Sequence, residues 1–219
     1  MSDVLPEAVA DVIELAGAEP EPVLREMETH GDERDFPVVG PAVGRTLRIL
    51  ARAVDAERVF EFGSGFGYSG AWWAGALPDS GELVLTDFES ENLAEARDFF
   101  ERADWGPEVH YEAGDAMATF ESYEGPFDAV LIDHQKTKYV DALELAKPEL
   151  RSGSVVVADN MLAGPVEPET VRDALEGKDP ASDHVAGVAA YLETVRDDPD
   201  FETTLLPLGE GIAVSYKKA

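Results

Sequence analysis

The stretch RVFEFGSGFGYSG, residues 58–70, is the most informative part of this chain about its fold. Its first five residues form a mostly apolar run that is typical of a buried strand. Glycines then stand at alternate positions, Gly63, Gly65 and Gly67, where they allow a tight turn and bring the backbone close to a ligand. A helical pattern begins at Tyr68, and the free N–H groups at its start would face the same ligand. The stretch therefore predicts a strand, a binding loop and a helix.

Outward from this unit, apolar runs alternate with helical patterns. The later runs with strand character are GELVLTD, EVHYEAG, FDAVLID and GSVVVAD. Such alternation indicates a parallel sheet with helices on both faces. Residues 201–218 contain two further strand patterns joined by a Pro/Gly turn, which predicts an antiparallel hairpin. We predict an α/β fold with a doubly wound, mostly parallel, seven-stranded sheet and a C-terminal hairpin.

The length of the chain, 219 residues, suits one domain, residues 1–219. Within it, residues 1–35 carry two short helical patterns and are predicted to form an N-terminal helical extension. Residues 160–180 show no regular pattern, and we expect a long functional loop there.

The net charge restricts the partners of this chain. It has 17 basic and 46 acidic residues, and its formal charge is −29. Acid spread along the whole chain repels nucleic acid and anionic membranes, so we expect neither as a partner. The same distribution indicates adaptation to high salt, which screens repulsion between surface charges; the alternative is a specific acidic interaction surface.

The absence of cysteine, of a signal peptide and of a membrane-length apolar run favours a cytoplasmic location.

The register of the glycines distinguishes between two cofactors. Residues 65–70 match the dinucleotide pattern G-x-G-x-x-G, and Asp87 follows at a suitable distance. Counted from the end of the strand, however, the first turn glycine is Gly63, and Glu61 precedes it. A carboxylate at this point would repel a pyrophosphate and attract a cationic ligand such as S-adenosylmethionine. Asp87 ends the second strand, where it can accept hydrogen bonds from two ribose hydroxyls. A plain tight turn and an NAD site remain the alternatives.

Polar residues follow two later strands directly. Asp133 ends one predicted strand, and Asp159 and Asn160 end the next. Ligands of doubly wound sheets bind beyond the carboxyl ends of the strands, where neighbouring strands lie about 4.8 Å apart. Two carboxylates and an amide oxygen suit Mg²⁺ or Ca²⁺ better than Zn²⁺. A metal site is predicted here, although a single strand-end Asp more often caps the following helix.

Lys136 follows Asp133 closely and is expected to begin the next helix above the same crevice. Beside a divalent cation it could take the proton of an acceptor hydroxyl as a general base. The alternative is an ordinary solvated lysine. The chain has only six lysines, and the presence of one here favours function.

Several motifs together resemble the metal-dependent O-methyltransferases of the catechol and caffeoyl-CoA type. They are FPVVGPAVG, FEFGSGFGYSG, LTDFESEN, AGDA, LIDHQKTKY and VVADNML, between residues 36 and 162. The resemblance implies a Rossmann-like methyltransferase fold, S-adenosylmethionine as cofactor, Mg²⁺, a small-molecule acceptor and a homodimer. The DHxK form, with His134, is especially similar to the catechol enzymes. Those enzymes have tryptophan where this chain has Gln135.

The resemblance also implies roles for individual residues. Those implied to bind the cofactor are Val39, Glu61, Gly63, Gly65, Ser69, Asp87, Asp115, Ala116 and Asp133. Within this set Val39 would offer its N–H and Ser69 its hydroxyl to the cofactor carboxylate, and Asp115 and Ala116 would lie against adenine. The metal ligands would be Asp133, Asp159 and Asn160, and the general base would be Lys136.

The expected activity is methyl transfer to one hydroxyl of a vicinal dihydroxy aromatic acceptor. The alternative from another functional class is a non-enzymatic module that binds S-adenosylmethionine without methyl transfer. It predicts loss of the metal ligands or of the lysine, and both are present in this sequence. An NAD-dependent dehydrogenase is the third possibility, and the register of the glycines disfavours it.

Overall fold

The structure is a computed structural model that describes residues 4–103 and 105–219. Its sheet has seven strands: β1 Arg58–Phe62, β2 Glu82–Asp87, β3 Glu108–Ala113, β4 Phe127–Ile132, β5 Leu150–Ala158, β6 Phe201–Leu206 and β7 Ile212–Lys217. They lie in the order β3-β2-β1-β4-β5-β7-β6. The first five strands are parallel, and β7 runs antiparallel to both β5 and β6. The predicted doubly wound sheet with its C-terminal hairpin is therefore confirmed.

Helices cover both faces of this sheet. They are α1 Glu7–Ala16, α2 Pro22–Glu33, α3 Gly40–Ala53, α4 Tyr68–Ala74, α5 Ser90–Ala103, α6 Ala116–Phe120, α7 Tyr139–Ala146, α8 Pro168–Leu175 and α9 Asp183–Asp197. Within the described ranges, no helix is long and apolar enough to cross a membrane.

Alternate residues of each strand supply two separate hydrophobic cores. Val59 of β1 packs in a core with helices α2 to α5. Phe60 and Phe62, on the opposite face, pack in the second core with helices α6 to α9. This is the period-two pattern of a strand that is buried on both sides. It also places Glu61 on the same face as Val59, within an apolar environment.

Two local predictions were wrong. Residues 160–180 are not a continuous loop, because α8 lies within them; Pro168 begins this helix, where a missing N–H costs no helical hydrogen bond. Lys136 does not begin an α-helix but lies in a 3₁₀ turn, Lys136–Lys138, and α7 begins only at Tyr139. The tighter turn brings the Lys136 side chain back toward the strand ends.

The C-terminal hairpin adds a segment to the edge of the sheet where the parallel strands end. Ala158, at the end of β5, pairs with Ala213, near the start of β7. Because β7 runs antiparallel to β5, the turn before β7 lies at the carboxyl end of β5. The backbone of this turn accepts hydrogen bonds from Met161, Leu162 and Ala163, at 2.9 Å each. The turn is thereby held against the segment that follows the candidate metal ligands.

Candidate functional site

A cavity of about 600 Å³ lies beyond the carboxyl ends of the central parallel strands. This size is within the range of small-molecule sites, about 300–1,000 Å³. Most of the predicted site residues line it: Val39, Gly63, Gly65, Ser69, Asp87, Ala116, Asp133, Lys136, Asp159 and Asn160. Glu61 and Asp115 are not among its lining residues. The cavity therefore joins the glycine loop to the candidate metal ligands in one site.

The glycine loop follows the tight path that its sequence predicts. Gly63 has a φ of 85°, and a Cβ atom there would lie 2.7 Å from the carbonyl oxygen of Asp133. Only glycine combines this backbone conformation with such a close approach. The Gly65 N–H donates a hydrogen bond to Asp87 Oδ2 at 3.1 Å. The loop is thus fixed between the ends of β1, β2 and β4.

Asp87 ends β2 and is a hub of hydrogen bonds at the rim of the cavity. Its Oδ1 accepts from the Glu89 N–H at 2.9 Å and from Asn92 Nδ2 at 3.0 Å. These donors orient the carboxylate, and its side chain still lines the cavity. An oriented carboxylate at this point can accept hydrogen bonds from vicinal ribose hydroxyls.

Replacing Asp87 by alanine is expected to weaken binding of S-adenosylmethionine by roughly ten- to hundredfold. The reason is that a carboxylate accepting two hydroxyl hydrogen bonds contributes about 1.5–3 kcal/mol. Isothermal titration calorimetry in molar KCl would measure the change. Asn92→Ala is the matched control, because it removes a donor to Asp87 and keeps the carboxylate; a tight Asp87→Ala complex would contradict the assignment.

Glu61 is fully buried beneath α4. Burial raises the pKa of its carboxyl group to about 8, and the nearby hydroxyls of Ser69 and Ser64 offset part of this shift. These hydroxyls are close but do not meet hydrogen-bond geometry, and both carboxyl oxygens lack a partner among the described residues. A buried acid without a partner is costly unless positive charge approaches it. Glu61 therefore fits a cationic ligand, although it lies behind the cavity wall.

The other predicted cofactor residues occupy different positions around the cavity. Val39 is at the N-cap position of α3, and Ser69 is buried in the first turn of α4. Asp115 caps α6, where Oδ1 accepts the Met117 N–H at 2.9 Å. Ala116 follows it and lines the cavity. Asp115 thus has a structural role that its sequence position alone does not reveal.

Asp133, Asp159 and Asn160 come together because β4 and β5 are neighbours in register, with Ile132 opposite Ala158. The Asp159 N–H donates to the Ile132 carbonyl at 3.2 Å, which aligns the two strand ends. Asn160 has a φ of 60°, a left-handed conformation that asparagine adopts more readily than most residues. Such conformations are concentrated at functional sites.

The side-chain nitrogen of Lys136 lies among these oxygen atoms. Lys136 Nζ donates to Asp133 Oδ1 at 3.1 Å and to Asn160 Oδ1, and it also donates to the Tyr139 hydroxyl at 2.7 Å. Burial keeps the pKa of Tyr139 well above its usual value, so its hydroxyl stays protonated. The lysine amine therefore lies between the side-chain oxygens of Asp133 and Asn160.

The electrostatics of the two carboxylates also fit a cation. Burial raises the pKa of Asp133, and it raises the pKa of Asp159, on which the neighbouring Asp133 charge acts in the same direction. Asp159 Oδ1 is buried and has no hydrogen-bond partner in the described part of the chain. Across residues 4–103 and 105–219, no three His, Cys, Asp or Glu side chains lie close enough together to hold a metal ion by themselves. The two carboxylates and the Asn160 amide oxygen together form the candidate set of three metal ligands.

The sequence did not reveal Glu210, which lies in the turn between β6 and β7. Glu210 lines the cavity, and its Oε2 accepts a hydrogen bond from Asn160 Nδ2. The only signal in the sequence is an acid within the Pro/Gly turn of the hairpin. This signal becomes informative once β7 is known to pair with β5, because the turn then lies beside Asn160.

His134 and Gln135 lie on the wall of the same cavity. The His134 ring is stacked on Tyr139, with centroids 5.7 Å apart and an interplanar angle of 12°. Burial, together with the Lys136 charge, lowers the pKa of His134 to about 4, so the imidazole is neutral at pH 7. Gln135 is exposed and supplies no aromatic ring at that position. The wall at His134 is therefore uncharged.

Comparison with known proteins relates this chain to O-methyltransferases. The family model for O-methyltransferases matches residues 15–218. A catechol O-methyltransferase of Niastella koreensis is 33% identical over 128 residues, which are 57% of this chain and 58% of that protein. The matched region thus spans less than two thirds of that relative. A Mycobacterium tuberculosis protein, provisionally named an O-methyltransferase, is 30% identical over 82% of this chain and 77% of its own length.

A solved structure extends the comparison to the whole fold. The Bacillus cereus O-methyltransferase in complex with SAH superposes with a TM-score of 0.82 and covers 96% of this chain and 97% of that chain. Sequence identity is 23%, so this likeness supports the fold alone.

Proposed function

Because this chain belongs to the O-methyltransferase family of S-adenosylmethionine-dependent enzymes, we propose that it methylates one hydroxyl of a small, catechol-like acceptor with the aid of a divalent metal. The enzyme class follows from the family. The acceptor, the metal and the roles of individual residues are proposals. One observation carries them: Asp133, Asp159 and Asn160 line the cavity that also contains the glycine loop, and Lys136 Nζ binds two of the three there.

The residues at the glycine end of the cavity would bind the cofactor. Asp87 would accept hydrogen bonds from the ribose hydroxyls. The buried carboxyl group of Glu61 would favour the cationic end of S-adenosylmethionine, because a nearby positive charge helps it to ionise. Ser69 and the N–H of Val39 would bind its carboxylate, at the start of α4 and of α3 respectively. Asp115 and Ala116 would lie near the adenine, with Asp115 acting through its cap of α6.

Asp133, Asp159 and Asn160 would hold Mg²⁺ or another divalent cation. When bound, the metal would orient the two acceptor oxygens and make one hydroxyl more acidic. Lys136 would remove the proton of that hydroxyl, since its Nζ lies beside the side chains of Asp133 and Asn160. Most of the rate enhancement would come from positioning and electrostatics.

Glu210 would bind the second hydroxyl of the acceptor. Its carboxylate lines the cavity beside Asn160, whose side-chain amide donates a hydrogen bond to it. A hydroxyl next to the reacting one would reach Glu210 and donate a hydrogen bond to it. This arrangement supports a vicinal diol of an aromatic ring rather than a single phenol.

The test is transfer of a radiolabelled methyl group in molar KCl with MgCl₂. We expect catechol to be methylated and phenol, which lacks the second hydroxyl, to react at least about tenfold more slowly, the effect of one lost charged hydrogen bond. Thioester-linked dihydroxyphenyl acceptors would be compared in the same assay. Binding of S-adenosylmethionine without methylation of any acceptor would support the binding-module alternative, and binding of NAD instead would contradict the proposal.

The homodimer expected from the resemblance remains a proposal, as does a cytoplasmic location. Helix α1 supports the dimer, because none of its residues is buried. Val9, Val12 and Leu15 are exposed on it at spacings of three residues. A second subunit would cover this apolar stripe.

A further inference from the structure

We propose that Tyr139 is a positioning residue for Lys136, and that its buried hydroxyl fixes the direction in which the lysine nitrogen faces the cavity. The inference rests on the proposed role of Lys136 as the general base. Tyr139 itself is fully buried and does not line the cavity, so it would act through the lysine and not on the acceptor.

The hydrogen bonds of the Tyr139 hydroxyl have a defined order. Its O–H lies 3.2 Å from the backbone carbonyl of Asp159, to which it donates, and 3.5 Å from Asp133 Oδ1, which is the more distant acceptor. Because its proton is directed to the Asp159 carbonyl, the hydroxyl oxygen can accept from Lys136 Nζ at 2.7 Å. One N–H of the lysine is thereby held away from the cavity, and its other N–H groups face Asp133 and Asn160.

The Tyr139 ring is itself fixed. It stacks on the ring of His134, and it meets Tyr191 edge to face, with centroids 5.8 Å apart and an interplanar angle of 79°. The Lys136 nitrogen lies 4.8 Å from the centroid of the Tyr139 ring. The hydroxyl therefore has a single position in the core, from which it can orient a flexible neighbour.

The backbone that carries Lys136 is fixed from the opposite side by α9. A Cβ atom at Gly187 would lie 2.2 Å from the carbonyl oxygen of Lys136, so helix and turn are in direct backbone contact. The remaining freedom is in the four-carbon side chain of the lysine, which has many rotamers. Two described groups outside the proposed metal site bind Nζ: the Tyr139 hydroxyl at 2.7 Å, and the His134 backbone carbonyl at the longer distance of 3.4 Å. The Tyr139 hydroxyl is the closer of the two.

The first experiment compares Tyr139→Phe with Tyr191→Phe. Both changes remove one hydroxyl from adjacent buried rings, and the Tyr191 hydroxyl has no hydrogen-bond partner among the described residues. We expect Tyr139→Phe to lower kcat about tenfold, with KM for the acceptor and Kd for S-adenosylmethionine within about twofold of the parent. Tyr191→Phe should leave kcat unchanged. In a Lys136→Ala background, Tyr139→Phe should cause no further loss of kcat, because the lysine that the hydroxyl orients is already absent.

The second experiment observes the lysine directly in the metal-free protein. Only six lysines are present, so NMR of protein labelled with ¹⁵N-lysine can resolve the side-chain signals. We expect an ordered, slowly exchanging Lys136 ammonium signal in the parent and in Tyr191→Phe. The signal should broaden or disappear in Tyr139→Phe, while the melting temperature of that variant confirms that it is folded.

The outcomes separate this inference from the proposed function. Parental kcat and an unchanged Lys136 signal in Tyr139→Phe, with Lys136→Ala inactive, would overturn the positioning role and leave the lysine base intact. An equal loss in Tyr191→Phe would assign the effect to packing and would also overturn it. If Lys136→Ala kept full activity, the proposed base would be wrong, and the NMR comparison would still decide whether Tyr139 orients the amine.

Discussion

Replacing Lys136 by alanine is expected to lower kcat roughly 10²- to 10⁴-fold, the usual contribution of a general base. Affinity for S-adenosylmethionine should remain almost unchanged, because Lys136 binds the strand-end oxygens and not the glycine loop. Single-turnover rates with catechol as acceptor would measure the loss, and calorimetry would measure the cofactor affinity. The pairing of both readouts separates a chemical defect from a damaged site.

Two further variants define the role of this lysine. Lys136→Arg should not restore the rate, because a guanidinium stays protonated and cannot accept a proton. Lys138→Ala is the matched control: Lys138 is exposed in the same 3₁₀ turn and pairs with Asp141 at 3.0 Å. Near-parental turnover in Lys136→Arg would show that position 136 needs only a positive charge, and the base would then be another group.

Replacing Asp159 by alanine is expected to lower metal-dependent turnover by about 10³-fold or more, since orienting and polarising an acceptor oxygen is worth several kcal/mol. Excess chelator should reduce the parent enzyme to a similar rate. Cofactor binding should persist, because Asp159 follows β5 directly and the charged groups that act on it, Asp133, Lys136 and Glu210, lie outside the glycine loop. Asp141→Ala, a change at an exposed carboxylate on α7, is the control. Full activity of the parent in chelator would contradict the metal site.

The raised pKa of Asp159 gives this prediction a pH dependence with a definite sign. Metal binding requires the ionised carboxylate, so affinity for Mg²⁺ should increase with pH as Asp159 loses its proton. In the metal-free protein the folded state holds this proton to a higher pH than the unfolded state does. Its contribution to stability therefore falls as the pH rises above the ordinary aspartate pKa. Melting temperatures in chelator should show this fall, and Asp159→Asn should reduce it.

The strand-end residues show how far the sequence could predict the site. Asp133, Asp159 and Asn160 could be grouped because each directly follows an apolar run, and parallel strands end at the same edge of a sheet. The pairing of β4 with β5 bears out the assumption that these strands are neighbours. The sequence placed Lys136 at the same crevice, but it could not predict the 3₁₀ turn that carries it or the close contact of this turn with Gly187 of α9, which is distant in the chain.

The α/β fold and the position of the binding loop could be predicted from the sequence alone. The prediction rests on local features, which can be recognised along the chain without knowledge of distant contacts. These features are the period of the apolar residues, the acid at Glu61 and the alternate glycines at Gly63, Gly65 and Gly67. The contact of Glu210 with Asn160 and that of Tyr139 with Lys136 become visible only in the folded chain. Glu210 is 50 residues from Asn160, and they meet because β7 pairs antiparallel with β5. Tyr139 resembles an ordinary core residue until the Asp159 carbonyl, 20 residues away, is seen to accept its proton. Contacts of this kind depend on which strands are neighbours, and no periodicity in the chain encodes that choice.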